Sequence, residues 1–256
     1  MGILDGKKIL VTGIANKKSI AWGIARELHA HGAELAFSCL ESNMRRLKKL
    51  APQVNSEIII PCDVQKDEDI DNLFKRLKEE WGTLDGLVHS LAYANIDDIG
   101  GDFTATTREG MSLAMDVSVY SLIALARGAR PLMKEAGGSI MALTFLGGRR
   151  VVPGYNVMGV AKAALNMSAQ YLAYYLGPDR IRVNVVSPGP VMTISASAVE
   201  DINAGFRHME EVSPLRRNMT AEDVGKTAVY LMSELSESVT AELIHVDCGF
   251  NVMRPR

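Results

Sequence analysis

The chain has 256 residues, of which 47% are hydrophobic and 23% charged, and a chain this apolar can bury a core rather than stay disordered. Its 28 basic and 30 acidic residues give a net charge of −2, which argues against electrostatic binding to nucleic acid. No apolar run approaches the roughly 18 residues of a membrane span, and the start lacks a signal peptide's hydrophobic segment and cleavage site. Three widely spaced cysteines indicate neither a disulfide framework nor a metal site. We therefore expect a cytoplasmic protein without a membrane, nucleic-acid or metal partner.

Short apolar runs alternate with longer helical patterns along the whole chain. The predicted strands are 7–14, 33–39, 57–63, 84–93, 138–145, 181–190 and 241–249. The predicted helices are 19–31, 67–81, 107–133, 155–176 and 220–233. Continuously apolar strands between helices indicate a parallel sheet that is covered on both faces. The pattern therefore predicts an α/β fold, with a single domain over 1–256 built on a doubly wound (Rossmann) parallel sheet of about seven strands.

The least regular segment of the sequence is 188–218, which begins at the carboxyl end of a predicted strand. Ligands of open α/β sheets bind at that edge, so this segment is a candidate lid over a site. An ordinary surface excursion is the alternative interpretation.

The first strand leads into the turn TGIANKKSIAWGIA at 12–25 and then into a helix. Such a turn offers backbone N–H groups and a helix N-terminus to a pyrophosphate, and Gly13 can adopt the required backbone. The three-glycine dinucleotide fingerprint is incomplete, however, because Ala15 holds its second place. Ser19 can cap the helix, donate to a phosphate, or do both. Taken alone, this turn is as consistent with an ordinary strand-turn-helix connection as with a phosphate-binding site.

Two polar residues end later strands of the predicted sheet. Asp63 closes the third predicted strand, where its carboxylate can accept from an adenine amino group beside the Val64 N–H. A cap at the start of the next helix is an equal alternative for Asp63. His89 lies on the fourth predicted strand, where a histidine is more often a buried structural residue than a ligand.

Tyr155 and Lys162 lie seven residues apart, so on a helix they share a face about two turns apart. Helical side chains lean towards the N-terminus, which brings the lysine back towards the phenol. A phenol is a hydrogen-bond donor at neutral pH, and a nearby ammonium is expected to lower its pKa. That ammonium can also bind ribose hydroxyls. In isolation, a packed tyrosine with a solvated lysine is the more ordinary explanation.

The motifs TGIANKKSIAWGIA, CDV, HSLAYA, LTFLGGRRVVPGYNVMGVAKAAL, IRVNVVSPGPVMT and HVDCGF together resemble the type I bacterial enoyl-acyl-carrier-protein reductases. These enzymes are divergent members of the short-chain dehydrogenase/reductase superfamily. Six residues separate Tyr155 from Lys162, whereas ordinary superfamily members have three, and Ala142 stands where those members carry a catalytic serine. The resemblance extends from Gly6 to about Phe250.

The resemblance implies that a nicotinamide cofactor reduces a trans-2-enoyl thioester on acyl carrier protein during fatty-acid elongation, in a homotetramer. Tyr155 would stabilise the enolate oxygen and Lys162 would hold the nicotinamide ribose. The implied cofactor contacts are Gly13, Ser19, Ile20, Asp63, Val64, Ser90, Leu91, Ala92, Lys162, Val191 and Thr193. The implied substrate contacts are Ala94, Phe145, Tyr155, Met158, Ser195, Val199 and Ile202. The helices 107–133 and 155–176 are candidate subunit interfaces.

The sequence departs from the family pattern at several places, including Ala92 and Cys248 where glycine is frequent, and two departures concern the substrate. Phe145 occupies the position of a second tyrosine of the family. The substrate loop has acidic residues within 199–203, where relatives often have basic ones. These departures keep three alternatives open: reduction of another enone or carbonyl substrate, use of enoyl-CoA rather than carrier-bound substrate, and a nicotinamide-binding sensor without turnover. The Tyr155–Lys162 pair argues against the sensor.

The residues after the second predicted strand favour NADH over NADPH. Cofactor choice in this fold is made there, and a 2′-phosphate requires Arg or Lys at close range. Leu40 offers no charge and Glu41 would repel the phosphate. A helix predicted to begin near Ser42 would direct Arg45 and Arg46 outwards, although these side chains could swing back.

Overall fold

The computed structural model describes residues 2–191 and 202–253, and its framework is one sheet of seven strands. The strands are β1 (Lys8–Thr12), β2 (Glu34–Cys39), β3 (Ile58–Pro61), β4 (Gly86–His89), β5 (Gly138–Leu143), β6 (Ile181–Pro188) and β7 (Leu243–Val246). They lie in the order β3-β2-β1-β4-β5-β6-β7, and all neighbouring pairs are parallel. The predicted α/β class and doubly wound sheet are confirmed.

Helices connect the strands and cover both faces of the sheet. In the described residues they are α1 (Ile20–Ala30), α2 (Met44–Leu50), α3 (Asp67–Trp81), α4 (Ile96–Ile99), α5 (Arg108–Met115), α6 (Ser121–Met133), α7 (Asn156–Leu176), α8 (Ile202–Val212) and α9 (Ala221–Met232). Helix α3 has the predicted bounds. Its acidic first turn complements the helix dipole, and Gly82 ends it with a left-handed φ of 71°.

Successive strand residues point into two separate cores, one on each face of the sheet. Ile9 and Val11 of β1 pack into a core with α1 and α9, whereas Leu10 between them packs into a core with α3, α6 and α7. Burial on both faces explains why the strands are continuously apolar rather than alternating. The helices pack closely: a Cβ on Gly128 of α6 would lie 2.1 Å from the ring of Phe74 on α3.

The predicted helix 107–133 is interrupted by a wider turn, so a single regular helix is wrong here. Residues Asp116–Tyr120 form a π-helical turn between α5 and α6. The whole helical stretch Arg108–Met133 is long and apolar enough to cross a membrane by length and composition, but half of its most apolar window is buried. Leu122 and Leu125 of this stretch lie in the core of the sheet, as in a core helix.

All strands except β2 end earlier than predicted at the carboxyl edge of the sheet. Strand β4 ends at His89, so Ser90 and the residues after it form a loop rather than a strand. Strand β3 ends at Pro61, two residues before Asp63. The candidate lid is less irregular than predicted, because α8 lies within it; residues 192–201 of that segment lie outside the described residues.

Candidate active site

Strands β1 and β4 meet at the point where the strand order of the sheet reverses, and their carboxyl ends touch there. Gly13 follows β1 with φ 82°, and a Cβ on it would lie 1.9 Å from the Ser90 carbonyl oxygen. Thr12 joins the two strands: its Oγ1 donates to Val88 O at 3.0 Å and accepts from Ser90 N at 3.3 Å. A crevice at this switch point is where open α/β sheets bind ligands.

Ser19 closes the turn that follows Gly13. Its Oγ accepts hydrogen bonds from the backbone N–H groups of Ala15 and Asn16, both at 3.1 Å. Ser19 occupies the N-cap position of α1, but its side chain makes no capping bond, so the capping interpretation is wrong. Because Oγ accepts twice, its own hydrogen is left to donate outwards. Ile20 begins α1, whose first N–H groups suit a phosphate.

Asp63 organises the loop after β3 and also lines a cavity. Its Oδ1 accepts from Gln65 N at 3.2 Å, and its Oδ2 lies 3.8 Å from the Lys66 ammonium. Leu40 and Glu41, from the end of β2, line the same cavity as Asp63. The carboxylate therefore shapes a turn and also faces the region beyond β2 where this fold holds an adenosine. Val64, next in the chain, is half-buried.

Arg46 is exposed, as predicted, and its side chain also reaches back to the turn after β1. Its Nη1 donates to the carbonyl oxygen of Ala15 at 2.8 Å, which links α2 to the turn after β1. The outward direction was predicted for a helix beginning near Ser42, but a 3₁₀ turn occupies Glu41–Asn43 and α2 begins only at Met44. Arg45 and Arg46 are nevertheless both exposed.

Tyr155 stands at the N-cap of α7 rather than inside the helix, with φ −123° and ψ 6°. Two neighbouring residues pack against its ring. The Phe145 ring meets it edge-on with centroids 4.9 Å apart, and a Cβ on Gly147 would lie 2.6 Å from its Cδ1. Burial raises the pKa of the Tyr155 phenol above its usual value, so the pKa decrease that we expected from Lys162 is wrong. The phenol is a neutral donor at physiological pH.

Lys162 is a buried cation on α7. Its Nζ donates to the carbonyl oxygen of Leu143 at 2.8 Å, which places the ammonium at the carboxyl end of β5. Burial lowers the pKa of Lys162 to about 8. The segment from Leu143 to Gly148 connects the two predicted catalytic residues, because it bonds to Lys162 at one end and packs on Tyr155 further along.

His89 is fully buried on β4, as the structural interpretation predicts. Its Nε2 lies 2.8 Å from the Ser121 hydroxyl, which itself donates to Val117 O at 2.7 Å. Burial, followed by the positive charge of Lys162, lowers the pKa of His89 to about 3. The ring is therefore neutral and serves as a hydrogen-bonded core residue.

A small apolar cluster lies beside Tyr155. Ala94 and Met158, two predicted substrate contacts, are buried in it together with Ala114 and Val157. Ser118, on the π-helical turn, holds the adjacent loop: its Oγ accepts from Tyr93 N at 3.1 Å and lies 3.9 Å from the Met158 sulfur. The structure thus brings Ala94, Tyr155 and Met158 together on an apolar wall that suits an acyl chain.

The remaining predicted contacts follow the sheet edge as far as the structure describes it. Ser90, Leu91 and the exposed Ala92 come directly after β4, and Val191 follows β6. Thr193, Ser195 and Val199 lie outside the described residues. Ile202 is the first residue of α8.

Two positioning residues, Gly147 and Ser118, were absent from the prediction. A signal existed for Gly147, because a Gly-Gly pair shortly after a strand and eight residues before a tyrosine indicates close backbone approach. Ser118 had no such signal, since its role depends on a π-helical turn that the helical periodicity conceals.

The strand order and the glycine turn at the switch point define a dinucleotide-binding α/β fold, and the Tyr-Lys pair at its carboxyl edge places it in the short-chain dehydrogenase/reductase class. The family model described as enoyl-(acyl carrier protein) reductase matches residues 13–251, and the chain belongs to this family. The enoyl-[acyl-carrier-protein] reductase [NADH] FabI of Nostoc sp. is 48% identical, with 98% of each chain covered.

Two solved structures have nearly the same fold. The Bacillus cereus enoyl-acyl carrier protein reductase, crystallised with NADP+ and an indole naphthyridinone, superposes with a TM-score of 0.97 at 48% identity and full coverage of both chains. The Anaplasma phagocytophilum reductase in complex with NAD gives a TM-score of 0.96 at 44% identity, covering 100% of this chain and 97% of that one.

Proposed function

We propose that this protein reduces the trans-2 double bond of an enoyl thioester with NADH, as an enoyl-acyl-carrier-protein reductase of fatty-acid elongation. One observation carries the proposal: the segment from Leu143 to Gly148 joins a neutral phenol, Tyr155, to a buried ammonium, Lys162, at the carboxyl edge of the sheet. Family membership at 48% identity to the Nostoc NADH enzyme supports the same reaction.

The residues at the switch point fit a dinucleotide. Gly13 has a left-handed backbone, and the Ser90 backbone occupies the place of a Cβ, so glycine lets the turn after β1 close against the loop after β4. Ser19 retains a hydroxyl hydrogen for a phosphate oxygen, and Ile20 opens a helix whose dipole favours negative charge. NADH supplies the hydride that adds to C3 of the enoyl chain.

Tyr155 and Lys162 have different roles in the reduction. Charge develops on the thioester oxygen as C3 is reduced, and the Tyr155 phenol donates a hydrogen bond to that oxygen. Its raised pKa keeps the donor proton in place at neutral pH. Lys162, fixed by Leu143 O, holds the ribose hydroxyls with its remaining N–H groups. The apolar wall formed by Ala94 and Met158 receives the first carbons of the acyl chain.

Acyl carrier protein is the proposed thioester carrier, and enoyl-CoA the alternative. Purified protein supplied with NADH and either crotonyl-CoA or crotonyl-acyl carrier protein tests both points through the loss of nicotinamide absorbance. Turnover of either thioester supports the reductase, and a higher kcat/KM for the carrier-bound substrate supports the carrier. No turnover of either would contradict the proposal, and reduction of simple ketones instead would favour the carbonyl alternative.

We further propose that the enzyme is a cytoplasmic homotetramer that associates through α7. Large apolar side chains are exposed along this helix: Val160, Met167, Tyr171, Tyr174 and Tyr175. Contiguous exposed apolar surface of this kind is typical of a subunit interface. Light scattering should therefore give a tetramer for the wild type and smaller species for Tyr171→Glu with Tyr174→Glu. A monomeric wild type would contradict this part of the proposal.

A further inference from the structure

The 93–101 segment lies between β4 and α5 and brings two apolar side chains to the neighbourhood of Tyr155. Ala94 is buried in the apolar cluster beside Met158. Ile99, the last residue of α4, is partly buried against the same cluster, as is Tyr155 itself. An acyl chain whose thioester oxygen lies at the Tyr155 phenol would therefore have this segment as one of its walls.

Polar side chains from two other elements hold the two ends of the 93–101 segment. At its start, Ser118 Oγ on the π-helical turn accepts a hydrogen bond from Tyr93 N at 3.1 Å. At its end, the side-chain amide of Asn156, the first residue of α7, donates to Gly100 O at 3.0 Å and to Gly101 O at 3.1 Å. A side-chain amide has two N–H groups, so both bonds to the glycine carbonyls form together.

The segment that Asn156 holds is itself shaped by local bonds. Gly101 has a left-handed φ of 71°, and the turn there brings two successive carbonyl oxygens within reach of one amide. Asp98 is a buried carboxylate that accepts from Thr107 N at 3.1 Å and so joins α4 to the start of α5. Because Asn156 comes directly after Tyr155 in the chain, its two bonds couple the position of this segment to the position of the phenol.

We propose that Asn156 is a positioning residue for acyl recognition: by holding Gly100 and Gly101, it sets the distance between Tyr155 and the wall that Ala94 and Ile99 form. The inference rests on the proposed function, because it assumes an acyl chain at that wall. A longer chain buries more methylene groups against the wall than a short one does. The bonds of Asn156 therefore matter more for long enoyl thioesters than for short ones.

The dependence of kcat/KM on chain length tests this role in Asn156→Asp. Aspartate keeps the shape and suits the first turn of a helix, but its carboxylate cannot donate to a carbonyl oxygen. The substrates are crotonyl-CoA, trans-2-octenoyl-CoA and trans-2-dodecenoyl-CoA. We expect kcat/KM to fall about tenfold for the dodecenoyl thioester and less than about threefold for the crotonyl one, with NADH affinity within about twofold. Gln53→Glu is the matched control, because this exposed amide also donates to a backbone carbonyl, Lys49 O at 3.4 Å, and should leave all three substrates unchanged.

Two further variants separate positioning from a general loss of structure. Asn156→Ala removes the same bonds without adding charge and should give the same chain-length pattern. Ile99→Ala shortens the wall, and its loss on the dodecenoyl thioester should shrink when it is combined with Asn156→Ala, because the wall is then already displaced. Equal losses for all three thioesters, unchanged kinetics in both Asn156 variants, or additive losses in the double variant would each contradict the proposal. A wild type that reduces none of the thioesters would instead contradict the proposed function itself.

Discussion

The ring of Phe145 meets the ring of Tyr155 edge-on, with centroids 4.9 Å apart and planes inclined by 64°. Such a contact contributes about 0.5–1.5 kcal/mol beyond the area that it buries, and here it fixes the plane of the phenol. Phe145 carries no hydroxyl, so the Tyr155 phenol is the only one of the two aromatic residues that can donate a hydrogen bond. In this pair, Tyr155 is the hydrogen-bond donor and Phe145 is the apolar residue that packs against its ring.

Removing the Phe145 ring should slow the reaction without weakening cofactor binding. We expect Phe145→Ala to lower kcat about three- to tenfold, the rate equivalent of the lost ring contact. Phe145→Tyr is the control, because it retains the ring and should keep kcat within about threefold. Steady-state kinetics with crotonyl-CoA measures both. An unchanged kcat in Phe145→Ala would show that the edge contact does not position the phenol.

Gly147 also packs closely against the Tyr155 ring. In Gly147→Ala the new Cβ would lie 2.6 Å from Tyr155 Cδ1, so either the ring or the loop must move. We expect kcat to fall about tenfold while the NADH dissociation constant stays within about twofold. Gly177→Ala is the matched control at the end of α7, where a Cβ meets nothing within 4 Å. Equal losses of activity in both variants would contradict the steric role.

Binding of NADH should depend on the charge of Lys162. Burial lowers its pKa to about 8, so the ammonium is present below that pH and is lost as the pH rises through it. NADH affinity should therefore decline above about pH 8. Lys162→Met should weaken binding at neutral pH and remove this dependence. His89 contributes nothing here, because its pKa of about 3 keeps it neutral throughout. Calorimetric titrations across this pH range check the prediction, and a wild-type profile identical to that of Lys162→Met would contradict it.

The Gly13 turn can be tested against a second glycine with nearly the same backbone. Gly13 has φ 82° and no room for a Cβ, whereas Gly6 has φ 77° and nothing within 4 Å of one. Both alanine variants should lose about 1 kcal/mol of unfolding free energy to the left-handed backbone. Only Gly13→Ala should lose further stability and most of its NADH affinity, as measured by denaturant unfolding and calorimetry. Wild-type NADH affinity in Gly13→Ala would show that the turn after β1 does not bind the cofactor.

The sequence predicts the sheet well because burial on both faces leaves a direct pattern. The apolar run KKILVTGI predicts a buried strand, and β1 lies within it. The spacing of apolar residues by three and four in 67–81 predicts a helix, and α3 has these bounds. The Tyr155–Lys162 pair is predicted by the family resemblance, because its spacing alone leaves a packed tyrosine with a solvated lysine as the more ordinary explanation. The pKa of the Tyr155 phenol is not predictable from the sequence. The nearby lysine suggests a lowered pKa, whereas burial in the structure raises it.

What the sequence does not predict arises from tertiary contacts. At the π-helical turn, the Tyr93 N–H donates to Ser118 Oγ and Ser121 Oγ donates to Val117 O, and helical periodicity in the sequence does not reveal these bonds. The bond of Arg46 to Ala15 O joins residues 31 apart in the sequence, and local spacing does not predict it.

Tyr155→Phe tests most directly whether the phenol donates to the thioester oxygen during reduction. The substitution removes only the hydroxyl, so the ring contacts with Phe145 and Gly147 remain. The decisive measurement is kcat for crotonyl-CoA reduction alongside the NADH dissociation constant of the same variant. We predict that kcat falls by one to three orders of magnitude, about 1.4–4 kcal/mol of transition-state stabilisation, while NADH affinity stays within about twofold. Turnover close to that of the wild type would contradict the role of Tyr155 as the donor.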